Sequence, residues 1–232
     1  MNRPRPVIAI DGPAGVGKST TSRELARRLG YTLVDTGALY RGVALAAREQ
    51  GISWDDEAAI AELCPRLQLG FKSQDDGTPR LLLDGVDRGD DIRTPDMSSG
   101  ASQVSAYPAV RRALLGIQRE LGKDGGVVLE GRDIGTVVFP DAEVKLFLTA
   151  SAEERARRRV MDLESRGVEV DYDELLEQIR ARDEADSTRA IAPLRPAKDA
   201  VILDSTHLDM DAVVKHVLEL VESCGNPAID TP

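Results

Sequence analysis

Apolar residues fall along this chain in short unbroken runs, separated by longer stretches in which they recur every three or four positions. The runs "VIAID" (7–11), "YTLVD" (31–35), "GVVLEG" (126–131), "VKLFLT" (144–149) and "AVILD" (200–204) are rich in Val, Ile and Leu, as strands covered on both faces require. Between the first two, "KSTTSRELARRLG" places Leu25 and Leu29 four apart and stops at Gly30, the pattern of a helix with a glycine terminator. A later helix opens where Ser151 and Glu154 have capping-box spacing. The last, "MDAVVKHVLELVESCG", is amphipathic and precedes a tail, 226–232, expected to be flexible. Strands alternating with helices predict an α/β fold with a five-stranded parallel sheet.

One region breaks the alternation. "LQLGFK" and "RLLLDG" flank the polar turn "SQDDGTP", which predicts an antiparallel hairpin. We place it in an inserted module at 63–100, with the core formed by 1–62 and 101–225. "YPAVRRALLGIQRELG" returns as a helix with Pro108 at its start and Gly122 at its end.

Composition narrows the function. At 232 residues and 41% hydrophobic the chain can fill one sizeable core and a small insertion. A net charge of −10, from 40 acidic and 30 basic side chains, disfavours a nucleic-acid partner, so any bound anion should be small and locally caged. Cys64 and Cys224 have the spacing of neither a disulfide framework nor a zinc site. No apolar run is long enough for a membrane span and the first ten residues lack a signal core, so a cytoplasmic protein is expected.

The first chemistry lies directly after the first strand. In "DGPAGVGKST", Gly12, Gly17, Lys18 and Ser19 follow the order G-x-x-x-x-G-K-[ST], and a buried strand before and a helix after make this a credible phosphate loop. Glycines at 12, 15 and 17 let backbone N–H groups turn inward, and the helix N-terminus adds a positive dipole end. Lys18 would reach the β- and γ-phosphates of ATP and Ser19 would hold Mg²⁺. The same loop serves switches, motors and kinases. No D-x-x-G occurs and the only asparagines are Asn2 and Asn226, which excludes a guanine-nucleotide switch.

The chain instead places arginines near the ends of elements: Arg41 in "DTGALYR", Arg132 in "EGRDIG", and Arg182 and Arg189 in "RDEADSTR". Arg132 and Asp133 lie just past a buried strand, at the sheet edge where ligands of open α/β folds bind. Arg182, Asp186 and Arg189 are spaced i, i+4, i+7, so a helix through them shows all three on one face. Converging guanidinium groups suit a second phosphorylated substrate and the charge that develops in phosphoryl transfer. "RARRR" (155–159) is either a helix surface or part of a lid that excludes water. His207 and His216 are read as surface or helix residues without a catalytic role.

Taken together, "IDGPAGVGKSTTSRELA", "DTGALYR", "ASQVSAYPAVRRAL", "EGRDIGTVVFPDA", "RDEADSTRAIAPL" and "ILDST" resemble the bacterial cytidylate kinase (CMP kinase) family over about 7 to 220. The resemblance implies a nucleoside monophosphate kinase with a P-loop NTPase-type three-layer fold, the 63–100 insertion as its NMP-binding module and a mobile lid at about 155–190. It implies transfer from ATP to CMP or dCMP with Mg²⁺, by a monomer. ATP would bind Gly12, Pro13, Ala14, Gly15, Val16, Gly17, Lys18, Ser19 and Thr20, with Arg158 from the lid and Ser19 on the metal. Thr36 and Arg41 match positions near the CMP phosphate, with Tyr40 a further substrate-binding residue; Ser102, Arg111 and Asp133 match the cytosine-reading positions. Arg132, Arg182, Asp186 and Arg189 match positions around the phosphates and sugar, and Lys18, Arg132, Arg182 and Arg189 are the expected catalytic groups. The chain departs from the pattern at Ala14, Thr36, Glu130 and Ala185, where relatives carry Ser, Ser, Asp and a basic residue. Two other readings stay open: a kinase for UMP or a sugar-like acceptor, and a module that binds ATP without transferring it.

Overall fold

A computed structural model describes residues 3–74, 76–165 and 167–223. In chain order the elements are β1 (Val7–Asp11), α1 (Lys18–Leu29), β2 (Thr32–Asp35), α2 (Thr36–Glu49), α3 (Glu57–Leu63), β3 (Leu69–Ser73), β4 (Pro79–Leu83), β5 (Val86–Asp87), α4 (Pro95–Val104), α5 (Pro108–Gly122), β6 (Val127–Gly131), β7 (Val144–Thr149), α6 (Ala152–Glu164), α7 (Tyr172–Thr188), β8 (Val201–Asp204) and α8 (Met210–Ser223). A short π-helical turn, Ile134–Val138, follows β6.

Strands β2, β6, β1, β7 and β8 lie side by side in that order, all parallel. The central strand is apolar throughout because both of its faces are covered. Ile8 and Ile10 pack with Leu25 and Ala26 of α1 and Val213, Val214 and Val217 of α8. Val7 and Ala9, on the alternate face, pack with Val34, Leu129 and the π-helical turn. Each expected core strand is present, to within one residue at its start.

The expected hairpin forms between β3 and β4, with Phe71 opposite Leu81, and β5 adds a third antiparallel strand that the sequence pattern did not indicate. This small sheet shares a core with the helices around it: Leu81 and Leu83 are buried with Leu39, Val43 and Leu45 of α2, Met97 of α4 and Leu114 of α5. Gly42 marks the closest approach, since a Cβ there would stand 2.8 Å from Leu81 Cδ2.

Two local expectations are corrected. The Ser151 hydroxyl accepts from Glu154 N at 3.1 Å, but the reciprocal half of the capping box is absent. The Ser151 N–H donates to Thr206 Oγ1, and the Glu154 carboxylate is taken by Arg158 Nε at 2.7 Å. Arg189 lies outside α7: the helix ends at Thr188 and Arg189 has extended backbone, φ −57° and ψ 140°. The predicted 226–232 tail and Cys224 lie outside the described residues.

Candidate active site

The chain leaves β1 at Asp11 and turns at once into the phosphate loop. Gly12 takes φ +148°, and a Cβ there would sit 2.0 Å from the Leu148 carbonyl oxygen; no other residue fits. Gly17, at φ +98°, is the N-cap from which α1 starts. Lys18 opens α1, is 6% exposed, and its ammonium donates to the Gly12 and Pro13 carbonyls at 2.8 and 2.6 Å. Burial, followed by the nearby Arg132, holds the Lys18 ammonium well below the ordinary lysine range. The Ser19 hydroxyl donates to Glu130 Oε2 at 2.9 Å, where burial and then Asp35 push the Glu130 carboxyl up to about 7.

Beside the loop is a cavity of about 280 Å³ lined in part by Gly17, Thr20, Arg158, Ser205 and Leu208. Arg158 stands at this wall because its Nη2 donates to the Ser205 carbonyl at 2.7 Å. On the other side of the loop, Arg155 is fully engaged: Nη1 donates to the Ala14 carbonyl and to Asp183 Oδ1, each at 3.1 Å, and Nε to the Ala150 carbonyl at 3.1 Å. The side chain is 4% exposed. It fastens the α6–α7 pair to the phosphate loop.

Between the loop and the α6–α7 pair, basic groups gather. Lys18 interacts electrostatically with Arg132 and Arg182, and Arg182 with Arg41. Arg132 Nε donates to Asp186 Oδ2 at 3.0 Å and Arg41 Nη2 to Asp35 Oδ2 at 2.6 Å. Arg182 is pushed down to about 10 by burial and by the charge of Arg132. The Nε groups of Arg41 and Arg182 are buried and make no hydrogen bond. Buried guanidinium N–H donors without an acceptor are costly, and a phosphate oxygen is the acceptor that would satisfy them in this cluster.

A second cavity, of about 230 Å³, is lined by Tyr40, Arg111, Leu115, Gln118, Asp133 and Val137 among others. Its polar wall is an ion pair, Arg111 Nη1 donating to Asp133 Oδ2 at 3.1 Å and to the Tyr40 hydroxyl at 3.2 Å. Arg189 Nη2 stands 3.8 Å from Asp133 Oδ1. Burial raises the Asp133 carboxyl above its ordinary range, against the pull of Arg111, Arg189 and Arg132.

The structure therefore brings Lys18, Arg41, Arg132, Arg182 and Asp186 together, and sets Tyr40, Arg111, Asp133 and Arg189 beside them. Arg189 joins from the extended segment after α7, not from the helix face that its spacing suggested. Thr36 is buried, its hydroxyl donating to the Glu130 carbonyl at 2.7 Å. Ser102 lies on α4, half-buried, and is not among the residues lining the cavity of Asp133. Sequence reasoning missed Asp11, Asp35 and Arg155. Asp35 was legible as the polar residue ending a strand and capping α2, where its carboxylate accepts from Ala38 N at 3.1 Å; Arg155 was hidden in a run of similar arginines.

Residues 8–223 match the family model for cytidylate kinase. The chain belongs to the cytidylate kinase family. It is 53% identical over 221 residues to a cytidylate kinase from Syntrophotalea carbinolica, covering 95% of this chain and 93% of the relative. It is 52% identical over 226 residues to a cytidylate kinase from Pseudomonas paraeruginosa, covering 97% and 99%. An uncharacterized protein from Eubacterium ventriosum shares the fold, with a TM-score of 0.50 and 13% identity over 94% of this chain and 99% of its own. Membership in the cytidylate kinase family makes this an enzyme of the ATP-dependent nucleoside monophosphate kinase class. Among the described residues no helix is long and apolar enough to cross a membrane.

Proposed function

We propose that the protein transfers the γ-phosphoryl group of ATP to CMP or dCMP, releasing ADP and CDP or dCDP. The observation that carries the reading is the cluster of Lys18, Arg132 and Arg182 near the phosphate loop, with buried arginine N–H groups that make no hydrogen bond within the protein. ATP occupies the loop with its base toward Arg158, and the acceptor phosphate meets Arg41, Arg132, Arg182 and Arg189. An oxygen of that phosphate attacks the γ-phosphorus; the new P–O bond forms as the β–γ bridging bond breaks and its electrons leave with ADP. No side chain becomes covalently attached. The protein aligns the two phosphates and balances the developing negative charge.

Selection of the base is assigned to Asp133. Its carboxylate would accept from the exocyclic amine of cytosine, while uracil would present a carbonyl oxygen to the same carboxylate in a buried site. Asp186 and the three arginines near it would hold the sugar and phosphates. We divide the chain as in the sequence reading, with 63–100 as the NMP-binding module and the α6–α7 pair at about 155–190 as a lid closing over ATP. In keeping with the family it resembles, we take the protein to act as a monomer on small nucleotides in the cytoplasm.

The residues present fit Mg²⁺. Ser19 Oγ and the Glu130 carboxylate form an all-oxygen pair 2.9 Å apart, and Mg²⁺ binds through one or two such donors together with substrate phosphates. Ser19 would hold it, with Glu130 beside; when bound it neutralises phosphate charge. A coupled ADP-release assay with CMP, dCMP, UMP and AMP tests the reading. CMP and dCMP should turn over well above the other two; equal turnover of UMP removes Asp133 from base selection, and no acceptor-dependent ADP removes the kinase reading altogether.

A further inference from the structure

Arg132 and Asp133 are presented by the turn that follows β6. That turn coils into the π-helical segment Ile134–Val138, where Val137 and Val138 both donate to the Asp133 carbonyl, at 2.9 and 3.2 Å. Like any helical start, it leaves its first N–H groups without partners of its own. Asp133 occupies the N-cap position, yet its side chain makes no bond to the turn. An aspartate at an N-cap ordinarily folds back to accept from the following N–H groups. Here the acceptor comes from another strand. Asp11, the last residue of β1 and 4% exposed, accepts from Ile134 N through Oδ1 and from Gly135 N through Oδ2, both at 2.8 Å. A Cβ at Gly135 would stand 3.5 Å from Asp11 Oδ2, an ordinary contact, and 3.2 Å from Lys145 Cδ.

We propose that Asp11 is a positioning residue for base selection, capping the turn from the neighbouring strand so that the Asp133 carboxylate stays turned toward Arg111 and the acceptor cavity. The inference rests on the assignment of Asp133 to the base and extends it. With Asp11 in place both N–H groups are satisfied and Asp133 has no reason to fold back. Replacing one Asp11 oxygen by a donor leaves a buried N–H unpaired, and the nearest carboxylate able to accept from it is that of Asp133. Swinging Asp133 onto its own turn takes it from Arg111 and from the cavity.

The test is steady-state kinetics of full-length Asp11→Asn, Asp133→Asn and the double variant with ATP and either CMP or UMP. For Asp11→Asn, KM for CMP should rise about tenfold or more and the CMP-to-UMP ratio of kcat/KM should fall about tenfold, with KM for ATP changed less than about twofold. The double variant should have the same ratio as Asp133→Asn alone. An unchanged ratio in Asp133→Asn overturns the assignment of Asp133; a lowered ratio there with an unchanged one in Asp11→Asn overturns the role of Asp11 alone. Parallel losses for ATP and CMP reduce Asp11 to a structural residue and also overturn the proposal. Should Asp11→Asn fail to fold, hydrogen exchange of the native protein decides: Ile134 and Gly135 amides should be protected like those of β6, and exchange at the rate of free amides overturns the cap.

Discussion

Arg132 Nε donates to Asp186 Oδ2 at 3.0 Å, a bond between the turn after β6 and helix α7. Because Asp186 is buried and also lies 3.8 Å from Arg189 Nη1, it holds two of the arginines proposed above to meet the acceptor phosphate. Asp186→Asn keeps the shape and one acceptor oxygen but not the charge, so one guanidinium loses its acceptor and both lose their counter-charge. The expected result is a fall in kcat/KM for CMP of about 10²-fold with a smaller change in KM for ATP; steady-state kinetics in both substrates check it.

Removing the ammonium of Lys18 tests the donor side. In Lys18→Ala the Gly12 and Pro13 carbonyls lose the donor that closes the loop, and in the proposed reaction the γ-phosphate loses its charge partner in the transition state. Turnover should fall by about 10²- to 10³-fold while the circular dichroism spectrum stays native. Near-normal turnover would remove the phosphate-loop assignment.

Arg155→Met tests what fastens the α6–α7 pair to the loop. The variant leaves the Ala14 and Ala150 carbonyls and the Asp183 carboxylate without their common partner, at a site where Arg155 is 4% exposed. Breaking a buried pair on one side costs about 3–5 kcal/mol; Asp183 is 28% exposed, so the lower end of that range is expected, read as a shift of the urea midpoint.

How much of this was legible follows from what each residue answers to. The five core strands were visible because burial on both faces writes an unbroken apolar run, and the phosphate loop because its glycines are fixed by the backbone itself. Helix α2 gave little signal: Ala44, Ala46 and Ala47 are buried in the core that the small sheet shares with its helices, and small residues make a weak stripe. The position of Arg189 was misread since i, i+7 spacing describes a helix only as long as the helix lasts, and α7 stops one residue short. Asp11 stood in plain view beside the loop, but its partners, Ile134 and Gly135, are 123 and 124 residues away. Only the parallel pairing of β1 with β6 brings them together.

That pairing also predicts a pH effect. Asp11 is pushed from 3.8 up to about 6, first by burial and then by Asp133, against its two backbone hydrogen bonds and Lys18. Its native pKa lies above the unfolded value, so between about pH 4 and 6 the native state holds more protons at this group than the unfolded chain does. The stabilisation from that bound proton is fully present below about 3.8 and is lost as pH rises through about 6. In that window Asp11 contributes a slope of up to about −1.4 kcal/mol per pH unit to unfolding stability. Asp11→Asn, which cannot titrate, should remove this slope, so the stability difference between native protein and variant should change with pH between 4 and 6 and stay flat above 7. Urea unfolding at half-unit pH steps measures it, and a difference constant across the whole range would place the native pKa of Asp11 at its ordinary value.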